Sequence, residues 1–117
     1  MRKLILAAML ALAPLPAMAA ELLMFDAEGC YWCDRWIDEV GDYYHETREG
    51  NAAPLRTVSL DNPMPVDLIW LRGVRASPTF VLIEDGREVG RIVGYHGEQA
   101  FWRRMENIFR GLAVQRL

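Results

Sequence analysis

Cys30 and Cys33 are the only cysteines in the 117-residue chain, and Tyr31 and Trp32 alone separate them. A bond closing so small a loop restrains little of the unfolded chain, so the pair is a poor structural staple. Two thiols at this spacing are better suited to chemistry, either reversible oxidation or metal ligation. The metal reading is short of donors. A structural zinc site needs further ligands, and only His45 and His96 offer nitrogen. They stand 51 residues apart, without the close pairing of a zinc finger. No metal and no cofactor is expected beyond the cysteine pair itself.

Local pattern places the pair between a strand and a helix. Leu22 to Phe25 is an apolar run consistent with a buried strand, and Asp26-Ala27-Glu28-Gly29 is loop-like. After Cys33, the apolar residues Trp36, Ile37, Val40 and Tyr44 follow at helical spacing, opposite Asp34, Arg35, Asp38 and Glu39. A thiol at the start of this helix meets unpaired N–H groups and the positive end of the helix dipole, and both favour thiolate. The dipole contributes roughly 0.3–1 kcal/mol. Lowering a thiol pKa by two units takes about 2.7 kcal/mol, so hydrogen bonds, one of them from the Cys33 thiol, must supply the remainder. Cys30 is therefore expected to attack disulfides, and Cys33 to be the buried resolving thiol.

The helix is expected to fade near Arg48 to Asn51. Leu55 to Leu60 reads as a second strand, and Val66 to Leu71 as a short helix closed by Gly73. Thr79 to Ile83 and Glu88 to Val93 read as a hairpin around Asp85-Gly86. Phe101, Met105, Ile108, Phe109 and Leu112 mark a last amphipathic helix. The order β-α-β-α-β-β-α predicts an α/β fold with a mixed central sheet and helices on both faces.

Residues 1–19 read as a cleavable signal peptide rather than as part of the domain spanning 20–117. Arg2 and Lys3 precede the apolar run Leu4 to Leu12, Pro14 and Pro16 break it, and Ala17-Met18-Ala19 suits a peptidase. Nine apolar residues are too few to cross a membrane, which takes about 20. No cysteine lies near the cleavage point to carry a lipid. The remaining 98 residues hold 11 arginines, no lysine and 16 acids, a net charge of −5. A mildly acidic domain without a basic run is a poor match for nucleic acid. The expectations are export to the periplasm, no stable membrane insertion, and a monomer.

Three segments in order carry a resemblance to the thioredoxin family: Gly29-Cys30-Tyr31-Trp32-Cys33, then Gly73-Val74-Arg75-Ala76-Ser77-Pro78-Thr79-Phe80, then Asp85-Gly86-Arg87-Glu88 with Gly94. The resemblance covers nearly the whole mature chain and implies a minimal thioredoxin fold. It further implies a cis Ser77–Pro78 bond beside the cysteines. A substrate groove would be bordered by Trp32, Ser77, Pro78 and Gly94, where a peptide adds as a strand. The departures are specific. The family's buried acid, six residues before the first cysteine, is Met24 here, and its companion lysine has no counterpart. Asp26 lies two residues on, on the same face of an extended strand, and is the candidate proton acceptor for Cys33; helix capping or loop solvation is its alternative role.

The aromatic dipeptide and short chain look most like the small periplasmic thioredoxins that accompany bacterial sulfur oxidation. That resemblance implies a thiol–disulfide oxidoreductase reducing a partner protein's disulfide, or another oxidised thiol, with a membrane thiol carrier restoring the dithiol. An isomerase or oxidase using the same cysteines, a reductase serving cytochrome c maturation, and a non-catalytic binding module of the same fold stay open at this point.

Overall fold

The computed structural model describes residues 20–112; the signal-peptide expectation concerns residues outside that range. Four strands form one mixed sheet in the order β2-β1-β3-β4, with β1 at Glu21–Asp26, β2 at Leu55–Ser59, β3 at Thr79–Glu84 and β4 at Arg87–Val93. β1 runs parallel to β2 and antiparallel to β3, which pairs with β4 as a hairpin. Asp85 and Gly86 both have positive φ, 53° and 71°, as the tight two-residue turn between β3 and β4 requires.

β1 is apolar without alternation because both sides of it are covered. Leu22 and Met24 point into a core with Phe80, Leu82 and Ile92, beneath Trp36, Val40, Tyr44, Phe101, Met105 and Phe109. Leu23 and Phe25 point the other way, toward Val58, Val81, Ile83, Leu68 and Leu71. The first face is roofed by the helix that starts after Cys30 and by α4, Glu98–Phe109. Gly90 of β4 lets α4 come close, since a Cβ there would lie 2.7 Å from Ile108 Cγ2.

The helix after Cys30 has an irregular centre. It begins as α1, Tyr31–Trp36, widens into a π turn over Ile37–Gly41, and closes as α2, Asp42–Tyr44. The Asp42 N–H donates to the Ile37 carbonyl, five residues back. Its buried residues are Cys33, Trp36, Val40 and Tyr44. Steps of four drift about 40° each around an α-helix, and the wider turn absorbs part of that drift, so Val40 and Tyr44 stay in the core.

Two sequence expectations need correction. The helix expected over Val66–Leu71 is a single 3-10 turn, Val66–Leu68, so the second sheet face carries a turn and loop in place of a helix. Six residues are too few to repay helix nucleation without packing, and Val66 and Ile69 are exposed. Only Leu68 and Leu71 are anchored there, and the Trp70 indole N–H bonds the Asp67 carbonyl. Where the first helix was expected to fade, a new one forms: α3, Arg48–Ala52. Thr47 caps it, its hydroxyl accepting from the Gly50 N–H at 2.9 Å and donating to the Tyr44 carbonyl at 2.6 Å.

Candidate active site

Cys30 is the N-cap of α1, in extended conformation, and Gly29 before it takes a positive φ of 71° to turn the chain from the strand into the helix. Cys30 and Cys33 are joined as a disulfide. The two sulfurs differ in access. Cys30 is partly exposed, whereas Cys33 is fully buried, facing Met24 and Trp36 in the core. The Cys33 N–H donates to Cys30 Sγ at 3.1 Å, so one donor of the helix's first turn points at the outer sulfur. The expected asymmetry is present in the geometry.

β1 delivers a carboxylate to the same spot. Asp26 closes the strand on the face of Met24, and one of its oxygens and both sulfurs lie within 4.8 Å of one another. The Ala27 N–H donates to Asp26 Oδ1 at 2.7 Å, which fixes the side chain beside the cysteines. The nearby Glu28 stays exposed, its N–H bonded to Asp61 Oδ2.

The segment before β3 forms the opposite wall. Antiparallel pairing sets Phe25 against Thr79, so Pro78 comes level with Asp26 at the strand end. The Ser77–Pro78 peptide is cis, and Pro78 is buried. The Gly94 N–H donates to the Pro78 carbonyl at 2.8 Å, joining the loop after β4 to this wall. Gly94 has a φ of 82°. Trp32 and Tyr31 are 49% and 60% exposed beside Cys30, with their rings edge to face at 5.1 Å. The fold therefore gathers Cys30, Cys33, Asp26, Ser77, Pro78 and Gly94 at one end of the sheet. His96 contributes a ring 3.4 Å from the place a Gly94 Cβ would occupy, and His45 lies on the exposed surface.

A model of the thioredoxin-like domain matches residues 19–109. The chain belongs to the thioredoxin-like family. With a Cys30–Cys33 pair in this setting, it is a thiol–disulfide oxidoreductase. The periplasmic thioredoxin SoxS from Paracoccus pantotrophus, in reduced form, is 38% identical, with a TM-score of 0.73 over 79% of this chain and 97% of that one. A thioredoxin from Thermus thermophilus is 25% identical, with a TM-score of 0.63 over 83% of this chain and 79% of that one. Fasciola hepatica thioredoxin is also 25% identical, with a TM-score of 0.60 over 82% and 84%. No curated protein matches by sequence. Among the described residues, no helix is long and apolar enough to cross a membrane.

One set of contacts beside this thioredoxin-like site was not visible in the sequence. Arg35 spans Tyr31, Trp32 and Glu39, and Tyr95 bonds Glu39 from the loop after β4. Helical spacing marks Arg35 and Glu39 as a pair, but nothing local announces Tyr95, 56 residues away.

Proposed function

We propose that the chain is exported to the periplasm by residues 1–19, as one of the small thioredoxins that accompany sulfur oxidation, and reduces the disulfide of a partner protein there. The difference in access between Cys30 and Cys33 carries the reading. The likeness to a periplasmic thioredoxin supports the compartment and the branch.

In this mechanism the Cys30 thiolate attacks one sulfur of the partner's disulfide. That S–S bond breaks, the partner's other sulfur leaves as thiolate, and a mixed disulfide with Cys30 forms. The Cys33 N–H and the start of α1 stabilise the attacking anion. Trp32, Ser77, Pro78 and Gly94 border the groove in which the partner segment lies, paired along the backbone near Ser77. Cys33 then gives its proton to Asp26 and attacks Cys30 Sγ, releasing the second partner thiol. The partner gains two electrons and two protons, and the enzyme is left as the disulfide. A membrane thiol carrier returns it to the dithiol by the same exchange in reverse. Trapping tests the assignment: Cys33→Ser expressed in the periplasm accumulates a Cys30-linked partner, and the absence of any such adduct refutes it.

The base role of Asp26 has its own test. Asp26→Asn slows resolution of the mixed disulfide on the order of 10²-fold, with attack by Cys30 and the folded state unchanged. Single-turnover reduction followed across pH loses its acidic limb in the variant. An unchanged profile leaves Asp26 a structural residue at the end of β1, held by the Ala27 N–H.

A further inference from the structure

We propose that Glu39 and Tyr95 position the exposed Tyr31–Trp32 pair through Arg35, and that this chain of contacts determines how well protein disulfides, as distinct from small ones, are accepted. The inference rests on Cys30 being the attacking sulfur, because Tyr31 and Trp32 adjoin it and a bulky substrate must pass over them.

Two exposed aromatic side chains beside a reacting sulfur are free to change rotamer, and ordering them on binding costs affinity. Here they are ordered beforehand. Arg35 stands one helical turn along from both, its guanidinium carbon 6.0 Å from the Tyr31 ring centre and 5.9 Å from that of Trp32. Arg35 Nη1 also donates to the Tyr31 hydroxyl at 3.2 Å. A single exposed ion-pair contact at this spacing is too weak to hold a long side chain still. The guanidinium is instead gripped as a fork. Nη2 reaches both Glu39 oxygens, at 3.0 and 3.3 Å, and Nε reaches Oε2 at 3.3 Å.

Glu39 is fixed in turn. It sits in the π turn, and the Tyr95 hydroxyl donates to its Oε1 at 3.0 Å. Tyr95 is buried, with its ring against Phe101, and it follows Gly94, whose N–H holds the Pro78 carbonyl. The contacts thus run from the Pro78 wall of the groove, behind it, to the aromatic wall. The hydrogen bond from Arg35 keeps the Glu39 carboxyl below its ordinary pKa. Burial first, and then Glu39, hold the Tyr95 hydroxyl above its own. At neutral pH the acceptor is therefore charged and the donor protonated.

The experiment compares a peptide disulfide carrying leucine or phenylalanine beside its cysteines with hydroxyethyl disulfide, which is too small to lie across the rings. Glu39→Gln is expected to raise KM for the peptide by about three- to fivefold, the weight of the lost ring contacts. kcat for the peptide and the rate with hydroxyethyl disulfide stay within about twofold. Arg35→Met, on the exposed helix face, gives the same split without touching the core, and Trp32 becomes easier to quench with acrylamide in both variants. An unchanged peptide KM, or equal losses with both substrates, overturns the proposal. Wild-type protein that reduces neither substrate would instead refute the oxidoreductase mechanism itself.

Discussion

Cys30→Ser abolishes insulin reduction, with a loss of at least about 10³-fold, because the nucleophile is removed and no second sulfur can take its place. Cys33 cannot substitute, since its side chain is fully buried beneath Met24 and Trp36. Cys33→Ser behaves differently: it still attacks, but stalls at the mixed disulfide. Access also orders chemical modification. Alkylation of the reduced protein at neutral pH labels Cys30 first, and Cys33 only after the helix start opens. Preferential labelling of Cys33 would reverse the two roles. The N–H of Cys33 remains directed at the outer sulfur whichever side chain occupies position 33, so Cys33→Ser preserves the stabilisation of the attacking thiolate.

Gly50→Ala unfolds or severely destabilises the protein, by roughly 3 kcal/mol or more. Gly50 is buried in α3, and a Cβ there would lie 1.9 Å from the Tyr44 carbonyl oxygen and 2.7 Å from its carbon. Those are backbone atoms, so no rotamer change relieves the overlap. The same carbonyl takes the Thr47 hydroxyl, and the Tyr44 hydroxyl bonds the Ala53 carbonyl at 2.7 Å, locking α3 under the end of α2. Denaturant unfolding measures the effect. A loss below about 1 kcal/mol would mean that α3 can slide away from Tyr44, and the close approach would then have no structural weight.

The sequence is most legible where signals are local. Asp85-Gly86 fixes the β3–β4 turn, the apolar run marks β1 as central, and Phe101, Met105 and Phe109 mark the buried stripe of α4. Strand parity alone places Asp26 on the cysteine side of β1, where the structure has it. Legibility fails where a long-range contact decides the outcome. Val66 to Leu71 has helical apolar spacing, yet the sheet face beneath anchors only Leu68 and Leu71, so the chain takes one 3-10 turn. Gly50 reads as a helix terminator, yet it lies inside α3 because Thr47 supplies a cap and Tyr44 needs the space. The Arg35–Glu39–Tyr95 contacts depend on the path of the loop after Gly94, which no local pattern encodes.

The π turn makes this stretch intolerant of being wound as a regular helix at its present length. Five residues in the π turn sweep about the same angle as four in an α-helix, so winding all five regularly would rotate everything beyond them by about 100°. Val40 and Tyr44 would drift from the core face, and a relative with a regular helix reaches that face with one residue fewer. A Cβ at Gly41 is already opposed by the Trp36 ring at 2.9 Å, so the stretch has little slack to absorb the shift. Chimeras that join the catalytic end of this chain to the body of a relative with a regular first helix would therefore have to be spliced after Tyr44 rather than within the helix.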